Sequence, residues 1–414
     1  MSDYGKMILA ENQEYSLDCY KTQLNNNVLV VGTSGAGKTR SIVTPNLLEA
    51  TGSYVVSDPK GNLYNKYKDY LESEGYVVKK LDFTNPEDSD GYNFFEYIQS
   101  TQDIITTAHM LIYDGNKGNH VDPFWDQAAQ LLVQALVAFL IEAQRKDEQH
   151  LHNLLKLVTT CCSSGDMDMK DSVIDKMMQD YGRTHPKSYA VSTYNKFRVA
   201  ASKTLRSILI TVNSKLGLFD TPEIEEMTKK DEMDITGIGQ RKTAVFVVVS
   251  DTDRSMDSLA NLFFTQTMNQ LCRYADRYCE DNRLPVPVRF ILDDFATNCK
   301  IAEFPRMISS IRSRGISAML MIQAESQLAS CYGDDGATII SNCDTYVFLG
   351  TNDVETAKAV AERADVLMKK ILYMTVGTNW IFRRGQEPIN GKNFDLEAYL
   401  DEKFNRDSEV ERVA

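Results

Sequence analysis

The chain has 414 residues, enough for two or three domains at about 150 residues each and for a large buried core. Hydrophobic residues make up 43% and charged residues 25%, with only 22 Gly and 10 Pro, which excludes a disordered, linker-rich or collagen-like protein. Its 45 Lys and Arg face 58 Asp and Glu, a net charge of -13, so a surface that coats nucleic acid or anionic membrane everywhere is excluded and only a local basic lining is left open.

Met1 to Ala10 lacks the long apolar core of a signal peptide. The apolar run Val28–Val31 meets the glycine-rich turn Gly32-Thr33-Ser34-Gly35-Ala36-Gly37-Lys38-Thr39, and a helix-like segment follows to about Ala50. Pro45 falls inside that segment and is expected to remove one backbone hydrogen bond and bend the helix. Next come the strand-like Ser53–Ser57, closing on Asp58-Pro59-Lys60-Gly61, a helix around Leu63–Glu74 and the strand Tyr76–Leu81. Strands alternating with helices predict a parallel α/β sheet.

From Thr101 the helical period dominates, and Gln127–Ala143 is its longest apolar-rich stretch. The uninterrupted apolar run there, Ala135–Ile141, falls short of the roughly 20 residues of a membrane span. Strand patterns return at Thr243–Val249, Val288–Leu292, Ser317–Ile322 and Thr345–Leu349, separated by helical stretches such as Leu259–Tyr278 and Val354–Ala364. The expected organisation is therefore one α/β domain over 1–100 and 239–414, interrupted by an all-α domain over 101–238. The acidic tail from Asn393 reads as one short helix and a frayed end. Eight scattered cysteines without a Cys-x-x-Cys pair read as reduced, mostly buried thiols, and His150 and His152 lack metal-ligand spacing. Cytosolic residence is the expectation.

Gly32–Thr39 fits Gly-x-x-x-x-Gly-Lys-Thr between a strand and a helix, the context in which the pattern binds phosphate. The glycines let backbone N–H groups wrap the phosphates, Lys38 reaches the β- and γ-oxygens, and the Thr39 hydroxyl ligates Mg²⁺, so ATP and Mg²⁺ are the expected ligands. Such a site needs acids at the end of another strand, and Arg289-Phe290-Ile291-Leu292-Asp293-Asp294-Phe295 offers them. Asp293 would hold the metal and Asp294 would orient water, one methylene shorter than the Glu of many motor ATPases, so turnover is expected to be slow. The plainer alternative is two acids capping a solvated strand end. Asp58 and Lys60 end the strand after the P-loop strand and belong on the ligand edge of an open α/β sheet, unless they merely decorate a Pro-Gly turn.

From Tyr181 to Phe219 there is no Asp or Glu, whereas Lys and Arg recur. Lys196 and Lys203, seven apart on one expected helix face, with Arg198 and Arg206, form a candidate stripe for a phosphate backbone; a solvated helix face is the competing reading. Tyr189, Tyr194 and Phe197 interleave and fit a core equally well.

The order of motifs resembles the coupling proteins of type IV secretion systems, the TraG-type DNA-pumping ATPases of conjugation. The matching residues, after Gly32–Thr39, are Val56-Ser57-Asp58-Pro59-Lys60-Gly61-Asn62-Leu63-Tyr64, Asp122-Pro123-Phe124-Trp125 and Leu292-Asp293-Asp294-Phe295-Ala296. They continue with Ile311-Arg312-Ser313-Arg314-Gly315-Ile316, Gln323-Ala324-Glu325-Ser326-Gln327-Leu328 and Ile339-Ile340-Ser341-Asn342-Cys343-Asp344, so the likeness runs from about Asn27 to Gly350. It implies a RecA-like nucleotide-binding domain with a helical insertion, assembled into a ring, usually a hexamer. It also implies delivery of relaxase-bound single-stranded DNA to secretion-channel components at the cytosolic face of the bacterial membrane.

Carried over by motif position, Arg312 is the finger that one subunit points at its neighbour's γ-phosphate, with Arg314 as the fallback, and Gln323 senses loss of that phosphate. As ordinary residues the two arginines would be dipole partners at a helix end, and Gln323 a polar strand end. The chain departs from the family in Asp294, where Glu is common; family members usually carry a pair of N-terminal transmembrane helices before this region, and the expectation is either the soluble portion of such a protein or a natural member without an anchor. Two other readings stay open: a nucleotide-gated cargo receptor with little turnover, and a septal or chromosomal DNA translocase.

Overall fold

The computed structural model describes residues 5–112, 123–162, 172–199 and 202–410. The chain divides into two compact units, one formed by 1–79, 235–248 and 271–414, the other by 80–234 and 249–270.

The first unit is built on strands that are buried from end to end: β3 (Val28–Val31), β4 (Ser53–Ser57), β6 (Thr243–Val248), β7 (Val288–Leu292) and β9 (Thr345–Phe348), with β8 (Ile316–Ile322) nearly so. Continuous burial is the mark of a parallel sheet covered on both faces. These strands pair in parallel in the order β9-β3-β8-β7-β4-β6. At one edge β10 (Thr378–Arg383) and β11 (Ile389–Lys392) add on antiparallel, and at the other lies β5 (Val77–Asp82), where the chain leaves the unit. Two strands, β8 and β7, separate β3 from β4, so the strand next in sequence to the P-loop strand is not its neighbour in space.

A small antiparallel hairpin, β1 (Lys6–Ala10) and β2 (Gln13–Ser16), precedes the sheet. Its inner strand is held by one side chain: Asn46, 1% exposed, accepts from the Ile8 N–H and donates to the carbonyls of Ile8 and Ile42. Pro45 acts differently from the expected bend. Residues Thr39–Val43 wind as a π-helix, the Thr44 N–H reaching back to the Thr39 carbonyl, and Pro45 then opens the α-helix Thr44–Leu48. Proline at the first turn forfeits no helical hydrogen bond, and the wider turn absorbs the mismatch. The tail is also more ordered than its composition implies. Leu396–Val410 is helical, and Tyr399 donates to Glu49, Lys403 to the Leu48 carbonyl and Arg40 to Glu397.

The second unit is helical. Its helices are Thr101–Ile112, Pro123–Ala143, Leu151–Cys162, Val173–Thr184, Tyr189–Arg198, Ser202–Leu216 and Pro222–Lys229, together with the first part of Asp257–Tyr278. Phe124–Ala143 has the length and apolarity of a membrane span, more than the run Ala135–Ile141 indicated, but its Leu132, Val133, Leu136 and Val137 are wholly buried among these helices.

The unit's limits differ from 101–238 because the turn Phe94–Tyr97 is bonded to the helix Asp257–Tyr278. Tyr92 donates to Gln266, which donates to the Phe94 carbonyl, and Gln270 donates to the Tyr97 carbonyl, drawing 80–100 and 249–270 into the helical body.

Replacing Asn46 by Ala leaves the Ile8 N–H and C=O buried without partners, and should cost roughly 2–4 kcal/mol. Urea denaturation monitored by circular dichroism measures this, and a loss below about 0.5 kcal/mol would show that the hairpin finds other partners.

Candidate functional site

The parallel strands β3, β8, β7 and β4 end side by side, and their carboxyl ends carry the P-loop, Gln323, Asp293 with Asp294, and Asp58 in that order. Neighbouring strands lie about 4.8 Å apart, so the P-loop and the Asp293 strand end are about 10 Å from each other, within reach of side chains.

The P-loop is fixed at its start by the ends of two strands. The Gly32 N–H donates to the Ile322 carbonyl, the Thr33 N–H to the Gly350 carbonyl and the Leu349 N–H to the Val31 carbonyl. Gly35 and Gly37 have φ of +77° and +92°, a left-handed backbone in which a side chain is strained. Between them the Ala36 carbonyl accepts from the Asn393 side-chain amide at 3.5 Å. Lys38, 8% exposed, folds over the loop and donates to the carbonyls of Gly32 at 2.7 Å and Thr33 at 3.3 Å. Those carbonyls place its ammonium inside the turn that an anion would occupy.

The Thr39 hydroxyl donates to Asp293 Oδ2 at 2.7 Å, and the Asp294 N–H donates to the other carboxylate oxygen at 3.1 Å. Burial raises the Asp293 pKa, while the Thr39 hydrogen bond opposes the rise. A hydroxyl and a carboxylate in contact beside a phosphate loop form the hard oxygen donor set that Mg²⁺ prefers. Asp294 is half-buried with φ of +50°, a left-handed conformation that Asp tolerates better than most residues.

Asp58 lies beside Asp293: Ser57 pairs with Leu292 in register, and the Ser57 hydroxyl donates to the Asp293 backbone carbonyl. Its carboxylate accepts from the N–H groups of Leu63 and Tyr64, so it ties down the first turn of the helix Asn62–Ser73. Burial pushes its pKa up to about 6, with the Asp293 charge adding to the rise. Lys60 has φ of +79° in the tight turn between them. Gln323 follows Ile322, which pairs with Val31, so it stands level with Gly32; its N–H is bonded to the Gln327 side chain at 2.7 Å.

Arg312 and Arg314 lie elsewhere. They precede the start of β8, at the opposite end of the seven-residue strand that Gln323 follows, about 23 Å away at 3.3 Å per residue. Arg312 donates to the Cys19 carbonyl at 3.0 Å, and Arg314 forms a two-point ion pair with Asp276, both contacts at 2.8 Å. Arg314 is thereby committed within its own chain.

The basic stripe does not form as expected. Lys196 and Lys203 belong to different helices, Tyr189–Arg198 and Ser202–Leu216, so they do not share a face. Arg198 is paired with buried Asp175 at 2.8 Å. Lys196 and Arg206 are exposed, the Lys203 side chain lies outside the described residues, and Tyr194 and Phe197 are core. The Asp122 of the Asp-Pro-Phe-Trp segment is likewise outside them.

A P-loop followed by a hydroxyl–carboxylate pair, on the carboxyl edge of a parallel sheet, defines a nucleotide-binding protein of the P-loop class. The chain belongs to the type IV secretory system conjugative DNA transfer family, whose model matches residues 4–364. It is 25% identical over 352 residues to protein VirD4 of Rhizobium radiobacter, covering 81% of this chain and 48% of that protein. It is 22% identical over 356 residues to the conjugal transfer protein TraG of Escherichia coli, covering 81% and 54%. The chain thus spans about half the length of these curated relatives. Its fold is that of the plasmid coupling protein TrwB, a RecA-type architecture. The structure of TrwB with the ATP analogue ADPNP has a TM-score of 0.65 at 17% identity, covering 89% of this chain and 84% of that one, and TrwB has also been solved with ADP and Mg²⁺.

The raised Asp58 pKa has a consequence for stability. With a folded value near 6 and an unfolded value near 3.8, the neutral carboxyl contributes stability that is present below about pH 4 and lost as pH rises through 6. Asp58→Asn keeps an oxygen acceptor for Leu63 and Tyr64 and should flatten the melting temperature across pH 4–7 relative to the parent. Identical profiles would show that Asp58 does not titrate in this range.

Proposed function

We propose that this chain is the motor part of a conjugation coupling protein: it hydrolyses ATP and drives relaxase-bound single-stranded DNA into a type IV secretion channel at the cytosolic face of the bacterial membrane. The observation that carries the reading is the Thr39–Asp293 hydrogen bond beside the P-loop, since this pair is where a P-loop ATPase holds its metal. Membership of a conjugative DNA transfer family supports the substrate, and the nucleotides bound by TrwB support ATP with Mg²⁺.

In this reading the backbone N–H groups of Gly32–Thr39 bind the phosphates, and Lys38 exchanges its loop carbonyls for phosphate oxygens. Thr39 and Asp293 would hold Mg²⁺, which when bound supplies charge neutralisation between the β- and γ-phosphates. Asp294 accepts a proton from the attacking water as the terminal phosphoanhydride bond breaks, leaving ADP and phosphate. Gln323, just past the end of β8, which lies between the P-loop strand and the Asp293 strand, transmits the loss of the γ-phosphate to the sheet, and Asp58 and Lys60 shape the far side of the same edge.

Arg312 is too far along β8 to act on its own chain's nucleotide, which supports a role across a subunit boundary. There it stabilises charge on a neighbour's γ-phosphate in a ring, expected to be hexameric. Exposed Lys196 and Arg206 remain as DNA-contact candidates, each worth a small, salt-sensitive increment.

Steady-state ATP hydrolysis tests this over a range of protein concentrations, with and without single-stranded DNA. Activity per subunit should rise with concentration and with DNA. It should fall at least 100-fold in Lys38→Ala and in Arg312→Ala, the latter without loss of ATP binding. Flat, near-zero turnover despite tight ATP binding would instead identify a nucleotide-gated receptor for cargo.

A further inference from the structure

The amino ends of β4, β7 and β8, with the segment around Leu17 and Cys19, line a cavity of about 40 Å³ at the sheet edge opposite the P-loop. Arg283, Arg289 and Arg312 line it, and among the described residues no Asp or Glu does. Arg289 is the unusual member. It lies within the otherwise apolar strand β7, is 7% exposed, and its Nη1 is buried with no hydrogen-bond partner among the described residues. The groups that act on its charge are the hydroxyl of Tyr54 and the thiol of Cys19, neither a carboxylate.

Arginine does not discharge by losing its proton, so a guanidinium in this position is a buried cation without a counter-ion among the described residues of its own chain. Proteins rarely retain such a charge, because its desolvation is not repaid. Arg312 engages the Cys19 carbonyl through Nη2 and has further N–H groups to offer, and Arg283 lies over the Tyr20 ring, its guanidinium 5.4 Å from the ring centre.

We infer that this cavity is a second anion site that takes a single phosphate group, held by Arg289 and Arg312 with Arg283 adding charge. Size selects the ligand. At about 10–15 Å³ for each water, 40 Å³ admits a compact tetrahedral oxyanion and excludes a nucleoside. Charge selects it too, since forked N–H donors on more than one guanidinium match the several oxygens of a dianion better than a single carboxylate. The phosphate is either inorganic or the terminal group of a nucleotide whose remainder stays outside the cavity. The site shares Arg312 with the reading above but does not rest on hydrolysis, because a chain without ATPase activity would bind phosphate equally well.

The test uses the full chain with Lys38→Ala, which silences the P-loop, and follows the melting temperature and ³¹P line width with inorganic phosphate at constant ionic strength. Phosphate at tens of millimolar should raise the melting temperature by a few degrees and broaden its own signal. Arg289→Met, close in volume, should melt higher than its parent without phosphate, because it removes a buried unpaired charge, and should lose the phosphate-dependent rise. Arg312→Ala, at a half-exposed position, should fold normally and bind phosphate at least tenfold more weakly. Competition by ATP would assign the terminal group of a nucleotide as the source, and its absence would assign free phosphate. No phosphate response in the Lys38→Ala chain, or the same response in all three proteins, would overturn the site.

Discussion

The contact between the Thr39 hydroxyl and the Asp293 carboxylate is the constraint around which the site is organised. It joins two places 254 residues apart in sequence, the first turn after the P-loop and the end of β7, across the intervening end of β8. For that contact to form, β3, β8 and β7 must lie in this order, with β7 stopping two residues short of the end of β8 and β3. Their parallel register, Val31 against Ile322 and Leu292 against Leu320, arranges this. The buried setting that makes the pair useful also makes it costly, since a carboxylate in such surroundings is harder to ionise. A metal cation at that point would repay the cost, and Lys38 nearby offsets part of it.

One sheet therefore presents two edges with opposite chemistry. The carboxyl edge gathers acids, Asp58, Asp293 and Asp294, around a loop of backbone donors and one ammonium. The amino edge gathers the guanidiniums of Arg283, Arg289 and Arg312, with no acid among the described residues that line their cavity. The strands that separate the edges are apolar and buried, so neither set neutralises the other.

Much of this was legible in the sequence, for a physical reason. Strands buried on both faces leave continuous apolar runs, and the P-loop needs Gly35, Gly37, Lys38 and Thr39 at fixed spacing, so both survive as one-dimensional patterns. What was not legible depends on long-range pairing. β11, Ile-Asn-Gly-Lys, has too little apolar character to read as a strand and exists because β10 offers it an edge. The tail helix is polar, and its docking rests on contacts such as Tyr399 with Glu49 that no local pattern announces. No Gly or Pro occurs between Lys187 and Gly217 to mark the break between helices, so Lys196 and Lys203 looked like one face. Arg289 stood in plain view before the Asp pair, but a single charge in an apolar run signals nothing until its lack of a partner is seen.

Calorimetric titration with a non-hydrolysable ATP analogue, with and without Mg²⁺, shows whether Thr39 and Asp293 form the metal side of a nucleotide site. In the parent chain Mg²⁺ should tighten binding at least tenfold, and in Asp293→Asn that gain should vanish while metal-free binding through the P-loop persists. An equal Mg²⁺ dependence in both proteins would show that Asp293 does not hold the metal.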